Sequence, residues 1–158
     1  MAHRVYNLLH IVGVILFFAG FVGALLSQRF VDRTRDPRIV AHTFKIMNFN
    51  DRWLTPVSIV LILIGGFGAA SRAGLSVVQT GWIFWSLVLF GISGVIFLAL
   101  ALPLQHKIEE MATSGQDEFD WAAYGHLSRS WSRWAHLAFV AVVVALVMMV
   151  FKPYLPVP

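Results

Sequence analysis

The chain has 158 residues, 58% of them hydrophobic and only 13% charged, with a mean hydropathy of +0.74. A soluble domain lies nearer to about half apolar and about a quarter charged, so a soluble globular enzyme, a disordered chain and a nucleic-acid-binding module are all excluded. The net charge of +4 is therefore read by where the cations fall, and the absence of cysteine removes disulfides, thiolate catalysis, zinc–thiolate sites and iron–sulfur clusters.

A bilayer core of roughly 30 Å needs about 20 mostly apolar residues in a helix. Four stretches qualify: residues 8–27, 54–70, 81–102 and 135–151, the third closed by Pro103 and the fourth by Lys152-Pro153. None contains Asp, Glu, Lys or Arg. Backbone groups in lipid must be bonded within the segment, so each is a helix. The expected fold is all-α, a four-helix transmembrane bundle forming one integral membrane domain. Arg4 ahead of the first span gives it a signal-like start, but the span is longer than a signal core and is read as a retained helix.

Four spans put both termini and the 71–80 turn on one side, with Arg4, Arg72 and Lys152. The long connections on the other side carry Arg29, Arg33, Arg35, Arg38, Lys45, Arg52, Lys107, Arg129 and Arg133. The positive-inside bias then places both connections in the cytoplasm of a bacterial inner membrane, with both termini periplasmic. Trp53, Trp82, Trp85, Trp131 and Trp134 all fall near span edges, where aromatic anchors are expected. In the first connection Val40, Phe44 and Met47 recur at helical spacing, which predicts a short interfacial helix with its apolar face down. In the second, Ser114-Gly-Gln-Asp117 reads as a capping box opening a helix from about Asp117 to Phe151.

With no carboxylate inside a span, a proton-coupled transporter acting alone is disfavoured, and four uninterrupted helices offer no broken segment for an ion channel. Histidine and methionine remain. His10 heads a stripe of Gly13, Phe17, Gly20, Ala24 and Ser27, a face that packs against other helices or leaves room for something flat. Its imidazole is a candidate metal ligand, axial to a haem iron, or a structural histidine bonded to a neighbouring carbonyl. Met148 and Met149 lie at a similar depth and could complete a His/Met haem or Cu(I) site. Arg4, Arg72 and Lys152 could pair with haem propionates or a quinone headgroup, or serve as snorkelling anchors. His136, with His42, His106 and His126, forms a second, undiagnostic metal candidate at the opposite end.

Three stretches carry a resemblance: residues 8–26 (LLHIVGVILFFAGFVGALL), residues 50–66 (NDRWLTPVSIVLILIGG), and the ending MMVFKP from Met148 to Pro153 after Pro103-Leu-Gln105. Together they resemble a family of predicted bacterial integral membrane proteins of unknown function. That family is more remotely similar to copper-resistance protein D and to HemJ-type protoporphyrinogen oxidases. The latter resemblance implies a b-type haem held by a first-helix histidine, a position that matches His10. The chain departs from the aromatic-Gly-Gly pattern after that histidine, having Phe18-Ala19-Gly20. Without cysteine or a Met-rich run, copper import is weakly supported.

Two readings of function follow. One is a haem-b protein of membrane electron transfer, with His10 as ligand and Met148, Met149 or a partner subunit opposite. The other is a non-catalytic subunit that docks on a larger respiratory or photosynthetic complex, or on copies of itself, within the lipid bilayer. Copper or small-solute transport ranks below both.

Overall fold

The computed structural model describes residues 1–114 and 119–157. In chain order the elements are α1 (Ala2–Thr34), α2 (Pro37–Arg72), α3 (Gly81–Ile96), a π-helical turn (Phe97–Ala101), α4 (Leu102–Ser114) and α5 (Trp121–Phe151). α3, the π turn and α4 form one rod, Gly81–Ser114, so four rods are each long and apolar enough to cross a membrane. The four-helix transmembrane bundle expected from the sequence is the fold. Both termini and the 73–80 turn lie at one end, the terminal end; the α1–α2 and α4–α5 links lie at the other, the connection end.

The rods outrun their apolar cores. α2 has 36 residues, about 54 Å at 1.5 Å per residue, against a hydrocarbon thickness of roughly 30 Å. The reason is that the first connection is almost entirely helix. Arg35, left-handed at φ 53°, ends α1. Asp36 caps α2, its carboxylate accepting the Arg38 N–H at 2.8 Å, with Pro37 at the first helical position. The separate interfacial helix expected there is thus the first half of α2. Val40, Phe44 and Met47 are 0, 0 and 4% exposed, buried in the protein core and not turned to headgroups. Their stripe continues into the span, so one face of one helix serves both.

Pro103 does not close the third helix. A proline deprives the preceding turn of a donor and crowds it, and the π turn just ahead absorbs the change: the Leu102 N–H bonds the carbonyl five residues back, at Phe97. The fourth helix does end where expected, at Lys152, which is left-handed at φ 47°. Of the capping box read at Ser114–Asp117, Ser114 ends α4, and the remaining residues lie outside the described ones. α5 begins at Trp121, capped by Asp120, which accepts the Ala122 and Ala123 N–H groups at 2.9 Å each.

Lipid tails are as apolar as leucine, so helices associate in the membrane through close packing and interhelical hydrogen bonds. α1 and α2 use glycine. A Cβ added at Gly65 would fall on the His10 backbone nitrogen and 2.8 Å from the Tyr6 carbonyl, and one at Gly13 would lie 2.8 Å from the Ile62 nitrogen. α3 and α5 use serine: Ser93 Oγ donates to the Ala138 carbonyl at 2.8 Å and Ser86 Oγ to the Ala145 carbonyl at 3.2 Å. The two pairs meet in mid-bundle through a layer of phenylalanines, among them Phe17–Phe90 at 5.4 Å and Phe21–Phe139 at 5.3 Å. They close fully only at the connection end, around Phe44, Ile108 and Trp131. Trp131, expected at an interface, is completely buried there, whereas Trp53, Trp85 and Trp134 are exposed.

Gly65→Ala should therefore destabilise the bundle by about 1–3 kcal/mol through overpacking. Gly20→Ala, where an added Cβ meets nothing within 4 Å, should be neutral or stabilising, since glycine costs roughly 0.5–1 kcal/mol in a helix. Thermal unfolding in detergent, followed by circular dichroism, separates them; equal losses would contradict this packing.

Candidate functional site

Because the two helix pairs converge only at the connection end, they leave a cavity of 540 Å³ between them at the terminal end. All four rods line it, through residues such as Phe17, Ala69, Phe90 and Val142, and the walls are mostly apolar. His10 is the ring that can do chemistry there. Its Nδ1 lies 2.8 Å from the Ile62 carbonyl oxygen. A carbonyl only accepts, so Nδ1 carries the proton and Nε2 of the neutral ring keeps its lone pair. Nε2 has no hydrogen bond among the described residues, on a side chain that lines the cavity. Gly66 makes room for the ring: a Cβ there would lie 3.1 Å from Nδ1 and 3.3 Å from Cε1.

The mouth is polar. Asn7 Nδ2 and His3 Nε2 are 3.2 Å apart on α1, and the Lys152 ammonium sits 5.5 Å from the Trp82 ring. The left-handed Lys152 turns the tail back across the start of α3, where the Leu155 carbonyl occupies the space that a Gly81 side chain would need. Trp85 Nε1 donates to the Pro156 carbonyl at 2.9 Å, fixing the tail.

Of the residues singled out from the sequence, His10, Met149 and Lys152 line this one cavity, while Arg4, Arg72 and Met148 do not. His136 is committed elsewhere: Nδ1 donates to the Ser132 carbonyl at 2.6 Å, and Nε2 lies 3.4 Å from Arg29 Nη2. Among the described residues no group of three or more His, Asp or Glu is placed to hold a metal ion, so His136 is not brought together with two of His42, His106 and His126.

A second polar region, at the connection end, has no counterpart in the sequence reading. Trp131 Nε1 donates to Gln105 Oε1 at 2.9 Å, and Gln105 Nε2 donates to Asn48 Oδ1 at 2.8 Å and Asp51 Oδ2 at 2.7 Å. Asn48 Nδ2 in turn donates to Glu109. Nearby, Asp32 accepts from the Tyr124 hydroxyl and Gln28 Nε2 at 2.5 Å each and from the Ser128 hydroxyl at 2.9 Å, tying α1 to α5. Counting charges inside the spans missed these groups because they lie just beyond the apolar cores. The available signal was their register: Asp51 continues the Phe44–Met47 stripe, and Tyr124, Ser128 and Trp131 continue that of Ala135 and Ala138. Gln105→Leu strands the buried Trp131 indole and two half-buried acceptors on α2, and should cost more than about 2 kcal/mol. Ser93→Ala removes one hydroxyl and should cost roughly 0.6 kcal/mol, the usual worth of an interhelical hydrogen bond in a membrane. Unfolding midpoints of the two variants in detergent give the ranking, and the reverse order would refute it.

The comparisons agree with this architecture. Residues 4–153 match a family described as predicted integral membrane protein (DUF2269). No curated protein matches the chain, and no solved structure matches it. Since the match spans nearly the whole sequence, the chain belongs to the DUF2269 family of predicted integral membrane proteins.

Proposed function

We propose that the terminal-end cavity binds a b-type haem through His10 and that the protein passes electrons within a bacterial inner membrane. The observation that carries this reading is the His10 hydrogen bond. Metal-ligating histidines almost always donate their other ring N–H to a carbonyl or carboxylate, which fixes the tautomer and raises ligand basicity; the bond from Nδ1 to the Ile62 carbonyl is of that kind. The cavity, at 540 Å³, falls in the range of roughly 300–1,000 Å³ usual for cofactor sites. Bound there, a haem would supply one-electron chemistry. The chain's own part would be to present His10 Nε2, to exclude water with apolar walls, and to offer Met149 of α5, in the same lining, as a second ligand. Lys152 is the cation for a carboxylate at the mouth; Arg4 and Met148, away from the lining, take no part. The resemblance read from the sequence to HemJ-type and copper-resistance D proteins points to the same first-helix histidine, His10, and oxidation of a porphyrin-like substrate is the chemistry that such a resemblance would imply.

The test is an absorption spectrum of detergent-purified protein from haem-supplemented cells, oxidised and then reduced with dithionite. The expected result is a Soret band that shifts on reduction and is lost in His10→Ala while the protein still inserts. Met149→Leu should keep the colour but lower the midpoint potential, because a His/Met pair raises it. A flat visible spectrum overturns the reading. In that case the accessory-subunit reading gains, and one surface favours it: an added Cβ at Gly91 or Gly94 on α3 would meet nothing within 4 Å, leaving that face free for another helix. A colourless protein that co-purifies with stoichiometric partners would be its signature.

In this reading the termini face the periplasm, because the three cations at their end are outnumbered by the nine on the connections. The lack of native cysteine makes the test direct. In intact cells a membrane-impermeant maleimide should label Ser76→Cys, in the exposed 73–80 turn, and spare Thr113→Cys at the exposed end of α4. The opposite pattern inverts the topology.

A further inference from the structure

The bundle holds a second cavity, of 370 Å³, along the α1–α2 seam at the connection end. We infer that this groove is a binding site for the reduced, dihydroxy head of a lipid-soluble quinol, with the Asp51 carboxylate as its hydrogen-bond acceptor. Four observations lead there. First, the groove opens sideways to lipid: Gly23 and Ile46 on its rim are exposed on the outer face of the bundle. Its occupant therefore enters from the membrane and carries an apolar tail. Second, its α1 wall, from Gly20 out to the rim at Gly23, is bare backbone. Gly20 and Gly23, nearly one turn apart on α1, would each meet nothing within 4 Å if given a Cβ, so a flat ring can lie against the helix where a side chain would exclude it.

Third, the polar end of the groove is built to accept. The Trp131 indole only donates, so Gln105 must turn Oε1 toward it, which leaves Gln105 Nε2 to donate to Asp51 Oδ2 at 2.7 Å. The Thr55 hydroxyl approaches Asp51 Oδ1 at 3.3 Å. Both neighbours thus donate to Asp51, and its two oxygens keep lone pairs for a further donor from the groove. Fourth, the lining contains Asp51 but no Lys or Arg. A phospholipid phosphate would meet a carboxylate with no cation in the lining to offset it. An uncharged ring with hydroxyl donors fits. The corresponding quinone, whose ring oxygens only accept, gains nothing from the carboxylate and is left with the weaker hydroxyl and amide donors of the lining, such as Ser27, Thr43 and Asn50.

The inference stands apart from the haem reading, although it would supply the class of electron donor that reading needs. The protein in nanodiscs is titrated calorimetrically with decylubiquinol, kept reduced under anaerobic conditions, and separately with decylubiquinone. The quinol should bind about tenfold or more tightly than the quinone, as expected for one hydrogen bond to a charged group. Asp51→Asn should erase that preference, and Gly23→Leu, a change on the lipid-facing rim that leaves the buried network intact, should abolish binding of both. His10→Ala should leave all of this unchanged, even if it bleaches the protein. Equal affinity for the two redox forms in the unmodified protein overturns the inference. So does binding that survives Gly23→Leu, and binding lost in His10→Ala would move the ligand to the terminal-end cavity.

Discussion

The amide of Gln105 can be satisfied in only one orientation, and the connection end of the bundle is assembled around it. The Trp131 indole has a proton to give and nothing to accept with, so the Gln105 oxygen faces α5 and its nitrogen faces Asn48 and Asp51 on α2. A residue of α4, completely buried, thereby fixes the rotation of three helices at once. In water such a bond would be nearly neutral. Within a membrane protein, where packing and polar contacts alone hold helices together, it selects one arrangement over others. The neighbouring Asp32 cluster brings in the fourth rod by joining α1 to Tyr124 and Ser128 of α5.

That tight end implies an open one. α1 and α2 are held together in their terminal-end halves by glycine contacts, and α3 and α5 by serine hydroxyls. Between the pairs lies the layer of phenylalanines, and beyond it the rods separate enough to leave a cavity that His10 lines. The contact that closes α1 on α2 also sets the chemistry of His10: Gly65 and Gly66 let the α1 backbone approach closely enough for Nδ1 to reach the Ile62 carbonyl. The structural reading of His10 is met by Nδ1, which ties α1 to α2, while Nε2 has no hydrogen bond among the described residues.

The legible parts of the molecule were those governed by bulk composition. Span number, helical class and the stop at Lys152 follow from hydropathy and punctuation, and each is found. What failed were judgements about where an apolar stripe points. Val40, Phe44 and Met47 form a stripe suited equally to the acyl boundary of a membrane surface and to protein, and only the continuity of α2 through Arg52 decides for the core. Trp131 looked like an interfacial anchor because it precedes an apolar run, yet its partner Gln105 lies 26 residues earlier, beyond the reach of any local pattern. Pro103 read as a stop because a one-residue π insertion leaves no trace in composition. At the site, His10 and Lys152 could be placed at the same end from topology alone. Choosing Met149 over Met148 required the actual register of α5 against the cavity.

The most direct measurement is the stoichiometry of haem b per chain in protein purified from haem-supplemented cells, made on the unmodified protein and on a variant that fills the cavity without touching His10. Ala69, which lines the cavity on α2, is the position to enlarge. The account predicts one haem per chain, falling close to zero in Ala69→Phe while the variant keeps its helical content and inserts normally. Haem retained undiminished in Ala69→Phe, or absent from the unmodified protein, would contradict it.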